Sequence, residues 1–246
     1  WRMDEKKGWS PDIGALQDLV RPATKVIVIN SPHNPTGYQF PEGDVRALVR
    51  FAEERGITIF SDEVYRFLEH RADDRLPAMA ELPGGHVSLG DVSKAYGLAG
   101  LRVGWIVTRD RDLLGRLASY KDYSTICNSA PGEFFAGIAL RHRGKIVARN
   151  LEIVRRNVGL LERFFADWSG LFSWVRPRGG TTAFPRLKGE AGASAFCTDL
   201  LESAGVLLVP ATVFEHGDAH IRFGYGRQDM PEALERLDGY LRTRFG

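Results

Sequence analysis

Lys25-Val26-Ile27-Val28-Ile29, ending in Asn30-Ser31-Pro32-His33-Asn34-Pro35-Thr36-Gly37, is followed twenty residues on by Ile57-Thr58-Ile59-Phe60, ending in Ser61-Asp62-Glu63. Each is a short β-branched run that stops at polar residues. Continuous apolar runs of this length suit strands covered on both faces, as in a largely parallel sheet. Between them, Pro41 to Arg55 carries Val45, Leu48, Val49 and Ala52 at helical spacing. Pro41 suits a first helical turn and Gly56 closes the C-terminal side. Strand, helix, strand is a βαβ unit, whose crossover is right-handed. A third run, His86-Val87-Ser88-Leu89, ends at Gly90-Asp91-Val92-Ser93-Lys94, and a further strand is expected from Val103 to Thr108.

After Asp110 the pattern turns helical. Val147, Leu151, Val154, Val158, Leu161, Phe165 and Trp168 alternate at spacings of four and three, which predicts one amphipathic helix from Ile146 to Trp168 packed on its own protein. Arg149, Arg155, Arg156 and Arg163 read as its solvated face. The remainder reads as strands at 172–175 and 181–187, a helix at 193–204, strands near 206–209 and 220–224, and a helix from Pro231. That order suits a smaller α+β domain.

Composition narrows the function classes. Among 246 residues, 43% are hydrophobic and 26% charged, ordinary for a globular chain. Lys plus Arg number 33 against 31 Asp plus Glu, a balance that gives no nucleic-acid footprint. No apolar run approaches the ~20 residues that span a bilayer. Cys127 and Cys197 are too few for a disulfide framework, and the six histidines lack metal-ligand spacing. The expectation is a soluble, cytoplasmic, metal-free α/β protein without nucleic-acid or membrane partners.

Ligands of open parallel sheets bind outside the carboxyl ends of the strands. The polar residues there are Asn34, Asp62, Tyr65 and Lys94, followed by Arg102. Each alone has a bland reading as turn, cap, surface lysine or salt-bridge partner. Together, an amide, an acid, a phenol, a lysine and an arginine at adjacent strand ends form a cofactor constellation.

Asn34-Pro35-Thr36-Gly37, Asp62-Glu63-Val64-Tyr65 and Ser93-Lys94-Ala95-Tyr96-Gly97-Leu98-Ala99-Gly100-Leu101-Arg102-Val103-Gly104 resemble, in order and spacing, the class I/II pyridoxal-phosphate (PLP) aminotransferases of fold type I. The lysine segment is the most specific piece, and the likeness runs from about residue 9 to the end. The resemblance implies a mostly parallel large domain (part of it in 1–145) and an interdomain helix with a small C-terminal domain (146–246). It implies Lys94 as the Schiff-base lysine, which must be unprotonated to attack an aldehyde and so needs its pKa lowered by burial or neighbouring cations. The freed amine would then move a proton between the substrate Cα and the cofactor's C4′ carbon. Asp62 would hold the pyridine nitrogen protonated, making the ring an electron sink. Tyr65 and Asn34 would bond the ring oxygen, and Ser93 and Arg102 would meet the phosphate. Arg222, in His220-Ile221-Arg222-Phe223, would grip the substrate carboxylate. The implied activity is amino transfer between an amino acid and a 2-oxo acid, in a homodimer. Elimination, replacement or cyclisation would use the same residues, and a PLP-binding sensor domain of a transcription regulator is a rival from another class.

Two departures stand out. The family usually has Ser or Thr three residues before the lysine, where Asp91 stands here; a carboxylate beside a phosphate is expected to weaken or rearrange phosphate binding. The family's upstream segment, with its phosphate-binding glycine turn and ring-stacking aromatic, does not precede Trp1, so the sequence reads as a fragment of a longer chain. His33, beside Asn34, and Tyr123 and Asn128, after the first long helix, are further candidates for the site. Cys127 reads as packing, and Gly179-Gly180 as a turn before a strand.

Overall fold

The computed structural model describes residues 1–189 and 192–246. Two short strands open the chain, β1 (Met3–Asp4) and β2 (Ser10–Pro11), joined by a 3-10 turn and followed by helix α1 (Ile13–Leu19). Then come β3 (Val26–Asn30), α2 (Glu42–Glu53), β4 (Thr58–Asp62), β5 (Val87–Asp91) and β6 (Gly104–Thr108). Helices α3 (Arg111–Ser124), α4 (Ala130–Arg141) and α5 (Arg143–Asp167) follow. The last part holds β7 (Phe172–Ser173), β8 (Thr182–Ala183), β9 (Arg186–Leu187), α6 (Ala193–Ala204), β10 (Val209–Pro210), β11 (Ile221–Gly224) and α7 (Met230–Phe245).

The central sheet has the order β3-β4-β5-β6. The pairs β3–β4 and β4–β5 are parallel and β6 runs antiparallel to β5. The register sets Asn30 level with Asp62, so the polar ends of the first two runs emerge side by side. Helix α2 crosses between β3 and β4 and buries Val45, Leu48, Val49 and Ala52, the expected stripe, with Phe51 added. Pro41 stands one residue earlier than expected, as the N-cap.

Coverage of the strands differs from the expectation. Ile27 and Ile29 are buried, yet Val26 and Val28 are 50% and 69% exposed, because no described element packs on their side of β3. Strand β6 is likewise mostly open, with Ile106 and Val107 facing solvent.

Two hydrophobic clusters hold the molecule. One joins α2, β3 and β4 to Trp9, Phe184 and Ala211. The other gathers α5, α6, α7 and β11 around Phe165, Phe172 and Phe223, and takes in Val92, Ala95 and Tyr96 of the lysine segment. Helix α5 buries Val147, Val154, Val158, Leu161 and Phe165 as its periodicity predicts. Its arginines do more than face water. Arg155 donates to the His70 carbonyl (3.0 Å) and Arg156 to that of Gln228 (3.2 Å). Asn157, fully buried mid-helix, donates to the carbonyls of Tyr225 and Arg227. The run at 181–187 is not one strand. It splits at Pro185, which has no N–H to give a ladder, into β8 on β11 and β9 on β7.

Candidate active site

Asn34 lies in the loop after β3. Its N–H donates to Asn30 Oδ1 (2.7 Å), while the Asn30 side chain donates to the Asp62 carbonyl (3.0 Å). One strand-end asparagine thus ties the amide loop to the acid strand. Gly37 closes that loop at φ 67°, and a Cβ there would sit 2.3 Å from Pro177 Cβ, so only glycine suits the turn. Asp62 ends β4, half-buried, with Oδ1 accepting from the Val64 N–H at 3.1 Å. Burial raises its pKa; the Val64 bond opposes this, Asp91 adds to it, and Lys94 lowers it.

Tyr65 is buried, and the Thr181 side chain lies near its hydroxyl. Burial raises its pKa, against the neighbouring Thr181 and the positive charge of Arg222; Asp62 and Asp91 reinforce the rise. Lys94 follows β5, with Nζ 5.8 Å from the centre of the Tyr65 ring. Its neighbours Val92, Ala95 and Tyr96 are buried and fix the turn, but the lysine itself is exposed. The expected burial around this amine is therefore not what the structure shows, and Asp62, a carboxylate, is among its charged neighbours. Lys94 also borders a cavity of about 210 Å³ with Leu68, Asn150 and Thr181.

Arg222, on β11, reaches Asn34: Nη1 lies 3.5 Å from Asn34 Oδ1, and the guanidinium stands over the Phe214 ring at 5.3 Å. The structure therefore gathers Asn34, Asp62, Tyr65, Lys94 and Arg222. Arg102 and Ser93 are placed differently. Arg102 adopts a left-handed backbone (φ 54°) and its Nη1 donates to the Ala99 carbonyl at 3.0 Å, within its own turn. Ser93 gives its N–H to Asp91 Oδ1 at 2.9 Å. Tyr123 is 91% exposed and Asn128 donates to Glu133, so neither bonds these residues. His33 shares a hydrogen with Thr36 Oγ1, and burial pushes its pKa down to about 4.

Three contributors escaped the sequence reading. Asn30 was legible in principle, as the polar residue ending the first run. Thr181 and Phe214 were not, because their roles arise from contacts across the fold.

His70 supports the site from behind. Its Nδ1 donates to the Pro177 carbonyl (3.0 Å) and its Nε2 faces the Tyr225 hydroxyl (3.4 Å). Burial is the main cause that lowers its pKa to about 4. The unfolded chain takes up a proton as pH falls below about 6.5, whereas the folded chain resists until about 4. Stability is thus full above that window and lost on acidification through it, by up to about 3 kcal/mol from this group. Denaturant unfolding at pH 7 and pH 4.5 should show the loss, and His70→Gln should remove this group's share of it while leaving that of His33.

The donor set matches a phosphorylated pyridine aldehyde: an amine for the aldehyde, a carboxylate for the ring nitrogen, a phenol and an amide for the ring oxygen. The guanidinium of Arg222 could take up a substrate carboxylate. For a phosphate the set is less open: the Ser93 N–H is held by Asp91 and the Arg102 guanidinium by the Ala99 carbonyl.

Comparison with known proteins agrees with this chemistry. The chain matches aminotransferase class I and II over residues 1–237, and it belongs to that family. Capreomycidine synthase of Streptomyces vinaceus is 32% identical over 249 residues, covering 99% of this chain and 62% of that protein. The crystal structure of a PLP-dependent aminotransferase from Streptococcus suis superposes with a TM-score of 0.92 at 35% identity, over 100% of this chain and 64% of that one. A PLP-dependent cyclase gives a TM-score of 0.84 at 32% identity, over 94% and 62%. The chain thus spans about three fifths of the length of the curated relatives it matches. Family and structural relatives together indicate pyridoxal phosphate as the cofactor. Among the described residues, no helix is long and apolar enough to cross a membrane, and no group of His, Cys, Asp or Glu could hold a metal ion.

Proposed function

We propose that this protein is a PLP-dependent aminotransferase that moves an amino group between an amino acid and a 2-oxo acid. The convergence of Lys94, Asp62, Tyr65, Asn34 and Arg222 at the strand ends carries the reading. When bound, the cofactor supplies an electron sink for charge developing at the substrate Cα. The chain's residues do the rest. Lys94 would hold the cofactor through its amine, and the same amine would move a proton between Cα and C4′. Asp62 holds the proton on the ring nitrogen. Tyr65 and Asn34 bond the ring oxygen. Ser93 would contribute a hydroxyl at the phosphate, and the Arg102 guanidinium would meet its charge. Arg222, braced on Phe214, grips the substrate carboxylate and so orients the Cα–H bond.

Residues 1–145 act in this reading as part of the cofactor-binding domain and 146–246 as connecting helix and small domain, within a cytoplasmic homodimer. Cyclisation, elimination or replacement on an amino acid is the second reading, favoured by the likeness to capreomycidine synthase and to a PLP-dependent cyclase. Product analysis separates the two. With an amino donor and a 2-oxo acid, transamination yields a new amino acid and a new 2-oxo acid in equal amounts. Ammonia release, or a cyclised product without amino transfer, would overturn the first reading in favour of the second.

A further inference from the structure

On the cofactor reading above, and resting on it, the phosphate end of the site centres on Asp91. This is the last residue of β5, paired with Gly104 of β6, and it stands three residues before Lys94. Its carboxylate folds back over the turn that presents the lysine, and Oδ1 accepts the Ser93 N–H at 2.9 Å. A backbone N–H at the end of a strand, beside the attachment lysine, is a donor that an incoming anion could use. Here an anion of the chain already holds it. The side chain is half-buried, and its negative charge helps to raise the pKa of both Asp62 and Tyr65. The guanidinium that should offset this charge, that of Arg102, is engaged with the Ala99 carbonyl at 3.0 Å.

We propose that Asp91 is a resident anion that competes with the cofactor's phosphate, so that this site holds PLP loosely and gains little from the phosphate group. To bind, the phosphate must take the Ser93 N–H from Asp91, draw Arg102 off Ala99, and settle beside a carboxylate of its own sign. Ring contacts through Asp62, Tyr65 and Asn34 are untouched by this competition. The consequence is specific to the phosphate: a pyridoxal without it avoids the repulsion altogether.

The test compares PLP with pyridoxal on cofactor-stripped protein, by equilibrium dialysis, for the wild type, Asp91→Asn and Asp91→Ser. Asparagine keeps the shape and the oxygen that accepts the Ser93 N–H, and removes only the charge. Removing a like charge a few ångströms from a phosphate should tighten PLP by roughly tenfold or more, while pyridoxal affinity stays within about twofold. Asp91→Ser should move in the same direction, and thermal melting identifies any variant that has lost its fold. PLP affinity that is unchanged or weaker in both folded variants, or a gain shared equally by pyridoxal, would overturn the proposal while leaving the cofactor reading intact. A wild-type protein that binds neither compound would overturn both.

Discussion

Lys94→Ala is expected to remove the visible absorption band that the protein acquires on incubation with PLP, and to lower turnover by at least roughly a thousandfold. The size follows from losing two functions at once, the nucleophile that anchors the cofactor and the amine that carries the Cα proton. The loss should not come from unfolding. Lys94 is exposed, and the turn that presents it is held by buried Val92, Ala95 and Tyr96, so the thermal midpoint should barely move. A small primary amine added to the variant should restore part of the activity, because it can replace the proton carrier from solution. A variant that keeps both band and activity would contradict the assignment.

The second large effect is expected for Asp62→Asn. Asparagine preserves the acceptor oxygen for the Val64 N–H, seen at 3.1 Å, and so should preserve the loop after β4. It cannot hold a proton on a pyridine nitrogen, and the electron sink weakens accordingly. Single-turnover rates, measured at matched cofactor content, should fall by roughly a hundred- to a thousandfold, within the range that removal of one positioned electrostatic partner produces. Asp62→Glu should recover part of that loss. Wild-type rates in the Asp62→Asn variant would show that this carboxylate does not face the ring.

The parts of the fold that periodicity controls were legible. The βαβ unit, the parallel pairing that sets Asn30 beside Asp62, and the stripe of α5 all follow from spacing of apolar residues. Helix α6 occupies 193–204, where the pattern put it. What escaped is governed by contacts between distant segments. The pairing of β1 with β2, two residues each, is too short to leave a period, and is fixed by Trp9 burying itself against Phe184. Pro185 divides the strand expected over 181–187 into two short ones. The open side of Val26 and Val28 cannot be read from a run of β-branched residues, which looks the same whether one face or both are covered.

The site divides in the same way. Residue types at strand ends were visible because the sheet itself aligns them. Orientation was not: Arg102 turns onto Ala99, and Asp91 turns onto Ser93, through hydrogen bonds that compete locally for the same short loop. Arg222 could be named from its segment, but its bracing by Phe214 and its approach to Asn34 depend on two loops meeting across the molecule.

A covalent bond between PLP and the Lys94 amine underlies every role assigned to the site. Borohydride reduction of the PLP-loaded protein, followed by proteolysis and mass mapping, measures that bond directly. The expected result is one reduced pyridoxyl group on Lys94, in the peptide that carries Ser93 and Ala95. Label on another lysine, or on none, would contradict it.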